Sequence, residues 1–233
     1  MSTTLVVLSG GAAQGLVGAL AHRFKAETGC EIGATFGAVG AMREKLLAGA
    51  PADLLIFTRA VVDQLSRQGH VAPGSDVDIG TVATAIAVRS GDATPAVGDP
   101  AQLRAALLAA GEICMPDPRQ ATAGIHFAGV LDRLGIAAEV ASRLRPFPNG
   151  LTAMRALAAS TAVRPIGCTQ VTEIVATPGV TLAAALPDPL GLATVYTAAV
   201  CTRAALPDAA RALAELLVGG TAQEARQRAG FTA

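Results

Sequence analysis

The chain has 233 residues, of which 52% are hydrophobic and 15% charged, and its 18 basic and 18 acidic side chains leave no formal net charge. This composition is typical of a compact globular protein and excludes a disordered chain. Aromatic residues make up 3% of the chain; with no basic stripe beside them, we expect no nucleic-acid partner. No apolar run reaches the ~18–20 residues of a membrane span, so we expect no membrane insertion.

The N-terminus predicts a cytoplasmic protein. Residues 1–4 carry no basic side chain, and the apolar run Leu5–Leu8 that follows is too short for the core of a secretory signal. A periplasmic location is expected only if a leader has been removed.

The cysteines predict neither a metal nor a redox centre. They form no C-x-x-C motif, which favours free thiols that pack as small apolar side chains. No Walker loop or metal-ligand cluster is present in the sequence either, so we expect no metal and no cofactor. The cysteines are Cys30, Cys114, Cys168 and Cys201.

Short β-type runs alternate with helix-period stretches, which predicts an α/β protein with a largely parallel sheet. In chain order, strands are predicted at residues 5–8, 31–36, 52–57, 81–88, 112–115, 164–169, 180–185 and 193–200. Helices are predicted at 15–28, 41–48, 61–68, 101–109, 123–134, 138–144, 151–159, 207–218 and 222–229. Chain crossings near residues 80 and 200 predict two lobes, one of residues 1–82 and 198–233, the other of residues 83–197.

Three turns between a strand and a helix, at residues 9–15, 36–41 and 117–124, have the sequence of an anion site. Each combines small residues with a helix start, where unpaired backbone N–H groups and the helix dipole attract negative charge. Ligands of open α/β sheets bind outside the carboxyl ends of the strands, so we expect turns from both lobes to line one cleft. The candidate ligand-binding residues are Ser9, Gly10, Gly11, Ala38, Val39, Gly40, Arg119, Thr122, Ala123, Thr169 and Gln170.

These candidates have different predicted roles. Ser9 offers a hydroxyl, Arg119 a bidentate clamp for a carboxylate, and Gln170 ends a strand that faces the cleft. Asp53 is predicted to be structural, capping or bracing the sheet. The catalytic residues stay unknown, because no Ser-His-Asp order or comparable set is present.

Four short motifs, in this order along the chain, resemble those of the periplasmic molybdate-binding proteins. These are type 2 periplasmic binding proteins of ABC importers, so the resemblance implies their two-lobed fold, with an interlobe anion-binding cleft that closes by a hinge. The motifs are residues 46–54, Pro116-Asp117-Pro118 with Ala123-Gly124, Pro165-Ile166-Gly167, and Arg228-Ala229-Gly230-Phe231.

The ligand-binding side chains of that family are replaced in this chain. The family holds its oxyanion with serine hydroxyls in the first two loops and with a tyrosine after the later strand. The matching positions here are Gly11, Val39 and Gln170, and the single tyrosine, Tyr196, lies elsewhere in the chain. Loss of these hydroxyls argues for a different anion.

The Ser-Gly-Gly opening and residues 36–41 resemble another branch of the same fold, which includes aconitate isomerase. This resemblance implies a small carboxylate as ligand and an isomerase or tautomerase that transfers an allylic proton. Backbone N–H groups and Arg119 would stabilise the enolate-like carboxylate. The alternative is a solute-binding protein for molybdate, tungstate or another oxyanion, with an ABC permease as its partner.

Overall fold

A computed structural model describes residues 3–232, which form nine strands and ten helices. The strands are β1 (Thr4–Gly10), β2 (Glu31–Gly37), β3 (Leu54–Thr58), β4 (Val77–Arg89), β5 (Ile113–Pro116), β6 (Leu144–Phe147), β7 (Ile166–Gln170), β8 (Val180–Ala185) and β9 (Ala193–Val200). The helices are α1 (Gln14–Thr28), α2 (Val39–Leu47), α3 (Arg59–Arg67), α4 (Pro100–Ala109), α5 (Thr122–Arg133), α6 (Ala137–Val140), α7 (Gly150–Ala159), α8 (Val171–Val175), α9 (Pro207–Val218) and α10 (Gln223–Arg228). Over the described residues, no helix combines the length and the apolar character that a membrane span requires.

The predicted α/β class is confirmed, and two elements were not predicted. The edge strand β6 has a mostly exposed sequence with Pro146 inside it, so it lacks the alternation of a half-buried strand. The predicted helix over residues 138–144 is instead α6 and a 3-10 turn, Ala141–Arg143, followed by β6. Helix α8 is rich in β-branched residues, which disfavour a helix when tertiary contacts are ignored.

The chain divides into two compact units, and the first consists of the described parts of Met1–Val82 and Thr194–Ala233. Its sheet has the order β2-β1-β3-β9-β4. Strands β1, β2 and β3 are parallel, and β9 runs antiparallel to β3. The carboxyl ends of the three parallel strands therefore meet at one edge, where the turn before α1, helix α2 and helix α3 begin.

The second unit is Ala83–Ala193. Its sheet has the order β4-β7-β5-β6, and β8 also pairs with β4. Strand β7 is antiparallel to β4 and parallel to β5. One face is covered by a large apolar cluster that includes Ile86, Phe127 and Cys168. A smaller cluster with Met154 and Leu157 covers the other face.

The cysteines follow the prediction with one difference. Cys114, Cys168 and Cys201 are buried, Cys30 is partly exposed, and all four are free thiols. Burial raises the pKa of Cys114 and of Cys201 to about 12. Thiols with so high a pKa are inert packing groups at neutral pH.

The Asp53 carboxylate braces the first unit. Its Oδ2 accepts a hydrogen bond of 2.8 Å from the N–H of Val6 in β1. Its Oδ1 accepts bonds of 2.7 and 3.0 Å from the N–H groups of Ala205 and Leu206, which precede α9. Because Asp53 is 3% exposed and holds β1 to the segment before α9, it is the structural brace that the sequence predicted.

Candidate functional site

The first predicted turn begins directly at the end of β1. Gly10 is followed by the 3-10 turn Gly11–Ala13, and no side chain caps this turn. Gly10 has φ −60° and ψ 146°, an extended conformation that any residue adopts. A Cβ atom there would lie 3.0 Å from Cε1 of Tyr196 and 3.0 Å from Cγ2 of Val39. Glycine is therefore favoured at position 10 because the side chains of Val39 and Tyr196 leave little room for a Cβ atom.

The second predicted turn lies against the first. Ala38 is the N-cap of α2 and its side chain caps nothing; Ala38 and Val39 are both buried, and Gly40 is the second residue of the helix. The first N–H groups of a helix have no partner within the helix. The structure thus brings the predicted residues Gly10 and Val39 together, with two uncapped turns beside each other.

Tyr196 joins these turns and was missed by the sequence analysis. It lies on β9 opposite Thr58, the last residue of β3, and is 1% exposed. Its ring packs edge-on against Phe231 with 6.3 Å between the ring centroids. Only the antiparallel return of β9 beside β3 brings this phenol to the carboxyl edge of the sheet, and no local motif signals that.

Ser9 does not present its hydroxyl as predicted. The residue is fully buried, and its Oγ donates a hydrogen bond of 2.9 Å to the carbonyl of Gly10. The donors that the first turn offers are therefore backbone N–H groups.

At the same edge, the start of α3 is already paired with carboxylates of the chain itself. Arg59, its first residue, donates to Asp76 and to Asp78 at 2.5 Å each. Thr197 donates to the same Asp78 oxygen at 2.6 Å. The hydrogen bond from Arg59 lowers the pKa of Asp76. Two carboxylates thus surround this helix start, which makes it a poor place for another anion.

In the second unit, the loop after β5 leads into α5 through Asp117. Its Oδ1 accepts from the N–H groups of Arg119 and Gln120, at 2.7 and 3.1 Å. Thr122 and Ala123 then open α5, whose N-terminus has no side-chain cap. The Arg119 side chain is 86% exposed, with Asp117 3.8 Å away. Its role as a carboxylate clamp stays a prediction.

Thr169 and Gln170 at the end of β7 point to opposite faces of the sheet, as neighbours in a strand must. Gln170 shares its face with its register partner Thr84 and with Cys168, and α5 covers this face through Phe127. The Thr84 hydroxyl is buried and has no partner among the described residues. Gln170, Thr84 and helix α5 therefore belong to one side of the sheet of the second unit.

Thr169 lies on the other side, against a buried carboxylate that the sequence analysis also missed. Its Oγ1 donates a hydrogen bond of 2.5 Å to Glu173, which is 6% exposed. The backbone N–H groups of Gln170, Leu151 and Gly150 also donate to this carboxylate. The next N–H of α7, that of Thr152, is bound by Asn149 at 2.9 Å. The start of α7 is thus capped entirely from within the chain.

Burial raises the pKa of Glu173, and its four hydrogen bonds only partly oppose this shift. A carboxyl group with a raised pKa in the folded state contributes stability at low pH and loses it as the pH rises through that pKa. We therefore expect the free energy of unfolding of the wild type, measured relative to Glu173→Gln, to fall as the pH rises from the ordinary glutamic acid pKa of about 4.3 through the raised pKa of Glu173. Urea unfolding at several pH values measures this difference. The exposed Glu224→Gln serves as control, and a difference that rises with pH would contradict the assignment.

Comparisons with known proteins agree with this architecture. The family of bacterial extracellular solute-binding proteins matches residues 5–232. An aconitate isomerase from a Pseudomonas species is 27% identical over 238 residues, which cover 98% of this chain and 87% of that protein.

Solved structures share the fold at lower identity. The periplasmic molybdate-binding protein of Azotobacter vinelandii has a TM-score of 0.81 at 19% identity, covering 98% of this chain and 99% of that one. The sulfate-binding protein of Mycobacterium tuberculosis has a TM-score of 0.77 at 20% identity, covering 98% and 86%. The chain has the type 2 periplasmic-binding-protein fold and belongs to the family of bacterial extracellular solute-binding proteins.

Proposed function

We propose that this protein binds a small carboxylate anion and moves a double bond within it. The observation that carries the proposal is the pair of uncapped helix starts at Gly11 and at α2, which lie beside each other at the strand ends of the first unit. The start of α7, by contrast, is filled by the chain's own Glu173. Uncapped starts offer backbone donors to an anion. The similarity to an aconitate isomerase over 98% of the chain supports a carboxylate as that anion.

The proposed reaction is an allylic proton transfer that consumes nothing. A base removes a proton from the carbon next to the double bond, and the C–H electron pair forms the new double bond. The former π pair moves toward the carboxylate, and the far alkene carbon then takes up a proton. Backbone N–H groups fixed before reaction stabilise the charge that develops on the carboxylate oxygens. Arg119 would add a charge-assisted bond to a second carboxylate.

Tyr196 is the group that we propose as proton carrier, because its hydroxyl lies 3.6 Å from the position of a Cβ on Gly10. We expect Tyr196→Phe to bind trans-aconitate with a Kd within about threefold of the wild type, since the ring and its packing on Phe231 remain. Turnover should fall by at least about 100-fold, the usual contribution of an acid–base group. Binding by calorimetry and isomer formation by NMR separate the two effects. Unchanged turnover would remove Tyr196 from the mechanism.

A ligand screen tests the function directly. We expect trans- or cis-aconitate, or another unsaturated di- or tricarboxylate, to raise Tm at neutral pH. A ligand at 100 times its dissociation constant adds about 2.7 kcal/mol to the free energy of unfolding, which is several degrees for a chain of this size. Incubation of the protein with that compound should then yield its isomer.

The second candidate is an oxyanion-binding protein of an ABC importer. Backbone turns without side-chain hydroxyls suit a tetrahedral oxyanion less well, but the fold is shared with molybdate- and sulfate-binding proteins. If only molybdate, tungstate or sulfate raises Tm, this candidate replaces the first, and a permease becomes the expected partner. The two candidates also differ in location. The isomerase is proposed to act in the cytoplasm and the importer component in the periplasm, which cell fractionation distinguishes.

A further inference from the structure

The proposed chemistry makes no use of Glu173, although its carboxylate receives more hydrogen bonds than a surface cap would. All four neighbouring polar groups donate to it: the Thr169 hydroxyl and the backbone N–H groups of Gln170, Leu151 and Gly150. Two of these N–H groups are the first two of α7, a helix of ten residues. A helix N-terminus with additional donors around it is a carboxylate-binding site, and here the carboxylate comes from the chain itself.

Gly150 shows how closely the site is fitted to its occupant. A Cβ atom at Gly150 would overlap Oε2 of Glu173 and Oγ1 of Thr169. No other residue leaves room for the carboxylate directly on the backbone of the first turn of α7. The absence of a side chain at position 150 is thus explained by the bound carboxylate.

The same carboxylate acts on a predicted ligand-binding residue. Gln170 is the N-cap of α8 and Glu173 is its third residue, so the bond from Glu173 back to the Gln170 N–H is half of a capping box. Glu173 therefore fastens the carboxyl end of β7 to the start of α7. The elements packed on α8 are α7, β7 and β8; their titratable side chains are Arg155 on α7 and Cys168 on β7.

We propose that Glu173 is a positioning residue, an internal carboxylate ligand that fills the anion site at the start of α7 and thereby fixes the main chain at Gln170 for ligand binding. The part of this proposal that concerns the ligand rests on the proposed function. The internal site itself does not, and the two are tested separately.

Chemical rescue tests the internal site. We expect Glu173→Ala to lower Tm by about 5–10 °C, because four buried donors lose their acceptor. Sodium formate should then raise the Tm of Glu173→Ala by several degrees and leave that of the wild type unchanged, because the formate fits where the carboxylate was. Formamide, the neutral isostere of formate, is the control and should not rescue. Glu173→Gln, whose amide occupies the same space, should not respond to formate either.

Amide NMR tests the positioning role. Its comparison of the wild type with Glu173→Gln can be made even if Glu173→Ala does not fold. In the wild type, the N–H signals of Gly150, Leu151 and Gln170 should follow one common titration, which disappears in Glu173→Gln. In Glu173→Ala, exchange of the Gln170 N–H should be at least about tenfold faster, equivalent to at least about 1.4 kcal/mol of local stability, and formate should slow it again.

Each outcome has one meaning. Absence of formate-specific rescue together with independent titrations of the three N–H groups overturns the internal site. Rescue with Gln170 exchange equal to that of the wild type overturns the positioning role. Trans-aconitate is the ligand probe, and an affinity for Glu173→Ala equal to that of the wild type removes the link to binding. If the wild type binds none of the screened anions, the proposed function fails, and the rescue and exchange results still decide the role of Glu173.

Discussion

Replacing Asp53 with alanine is expected to lower the free energy of unfolding by about 4 kcal/mol, the largest stability effect of any single change proposed for this chain. Three backbone N–H groups, those of Val6, Ala205 and Leu206, lose their acceptor at once. These groups lie in β1 and at the entry to α9, and Asp53 is 3% exposed, so water does not replace the carboxylate at low cost. Urea unfolding measures the loss.

Two variants make the Asp53 result specific. Asp53→Asn keeps one acceptor oxygen and turns an N–H₂ group toward donors, so we expect roughly half of the loss. Asp208→Ala removes a carboxylate from the first turn of α9 that is 98% exposed, and its effect should stay within about 0.5 kcal/mol. If Asp53→Ala were no worse than Asp208→Ala, the hydrogen bonds to Asp53 would contribute nothing to the stability of the first unit.

Replacing Gly10 with valine is expected to weaken anion binding by about 100-fold, equivalent to about 2.7 kcal/mol. A Cβ alone would lie 3.0 Å from both Val39 and Tyr196, and the two methyl groups need more room still. Either the start of α2 or the Tyr196 ring must move away, and the donors of the two uncapped turns then no longer converge. Because Gly10 has an ordinary extended conformation, backbone strain does not contribute to the effect.

The matched control for Gly10→Val is Gly18→Val, because an added Cβ at Gly18 meets no atom within 4 Å. Calorimetric titration with the anion found by the screen, well below the Tm of both variants, compares their Kd values. Similar affinities for Gly10→Val and the wild type would show that the first turn takes no part in binding.

Glu173 and Tyr196 show where prediction from the sequence stopped. The strands and helices with a regular apolar period were predicted to within a few residues, and so were the glycine-containing turns after β1 and β2, because these patterns are local. Tyr196 follows Gly10 by 186 positions in the chain, and only the pairing of β9 with β3 brings the two residues together. Helix α8 consists mostly of β-branched residues, and the carboxylate of its own residue Glu173 accepts a hydrogen bond from the N–H of the N-cap residue Gln170.

Most of the helices and strands, and the turns after β1 and β2, were determined by the sequence alone, because hydrophobic period and glycine act within a few residues of each other; β6 and α8 were not. Asp53 was likewise interpreted as a brace before its partners were known. The hydrogen-bonding state of each candidate was decided by the tertiary structure. Ser9 and Thr169 are bound within the chain, while the helix starts at Val39 and Thr122 have no side-chain cap. The physical reason is that a hydrogen bond depends on distance in space, and the partner of a buried polar group comes from whichever segment the fold brings within about 3 Å.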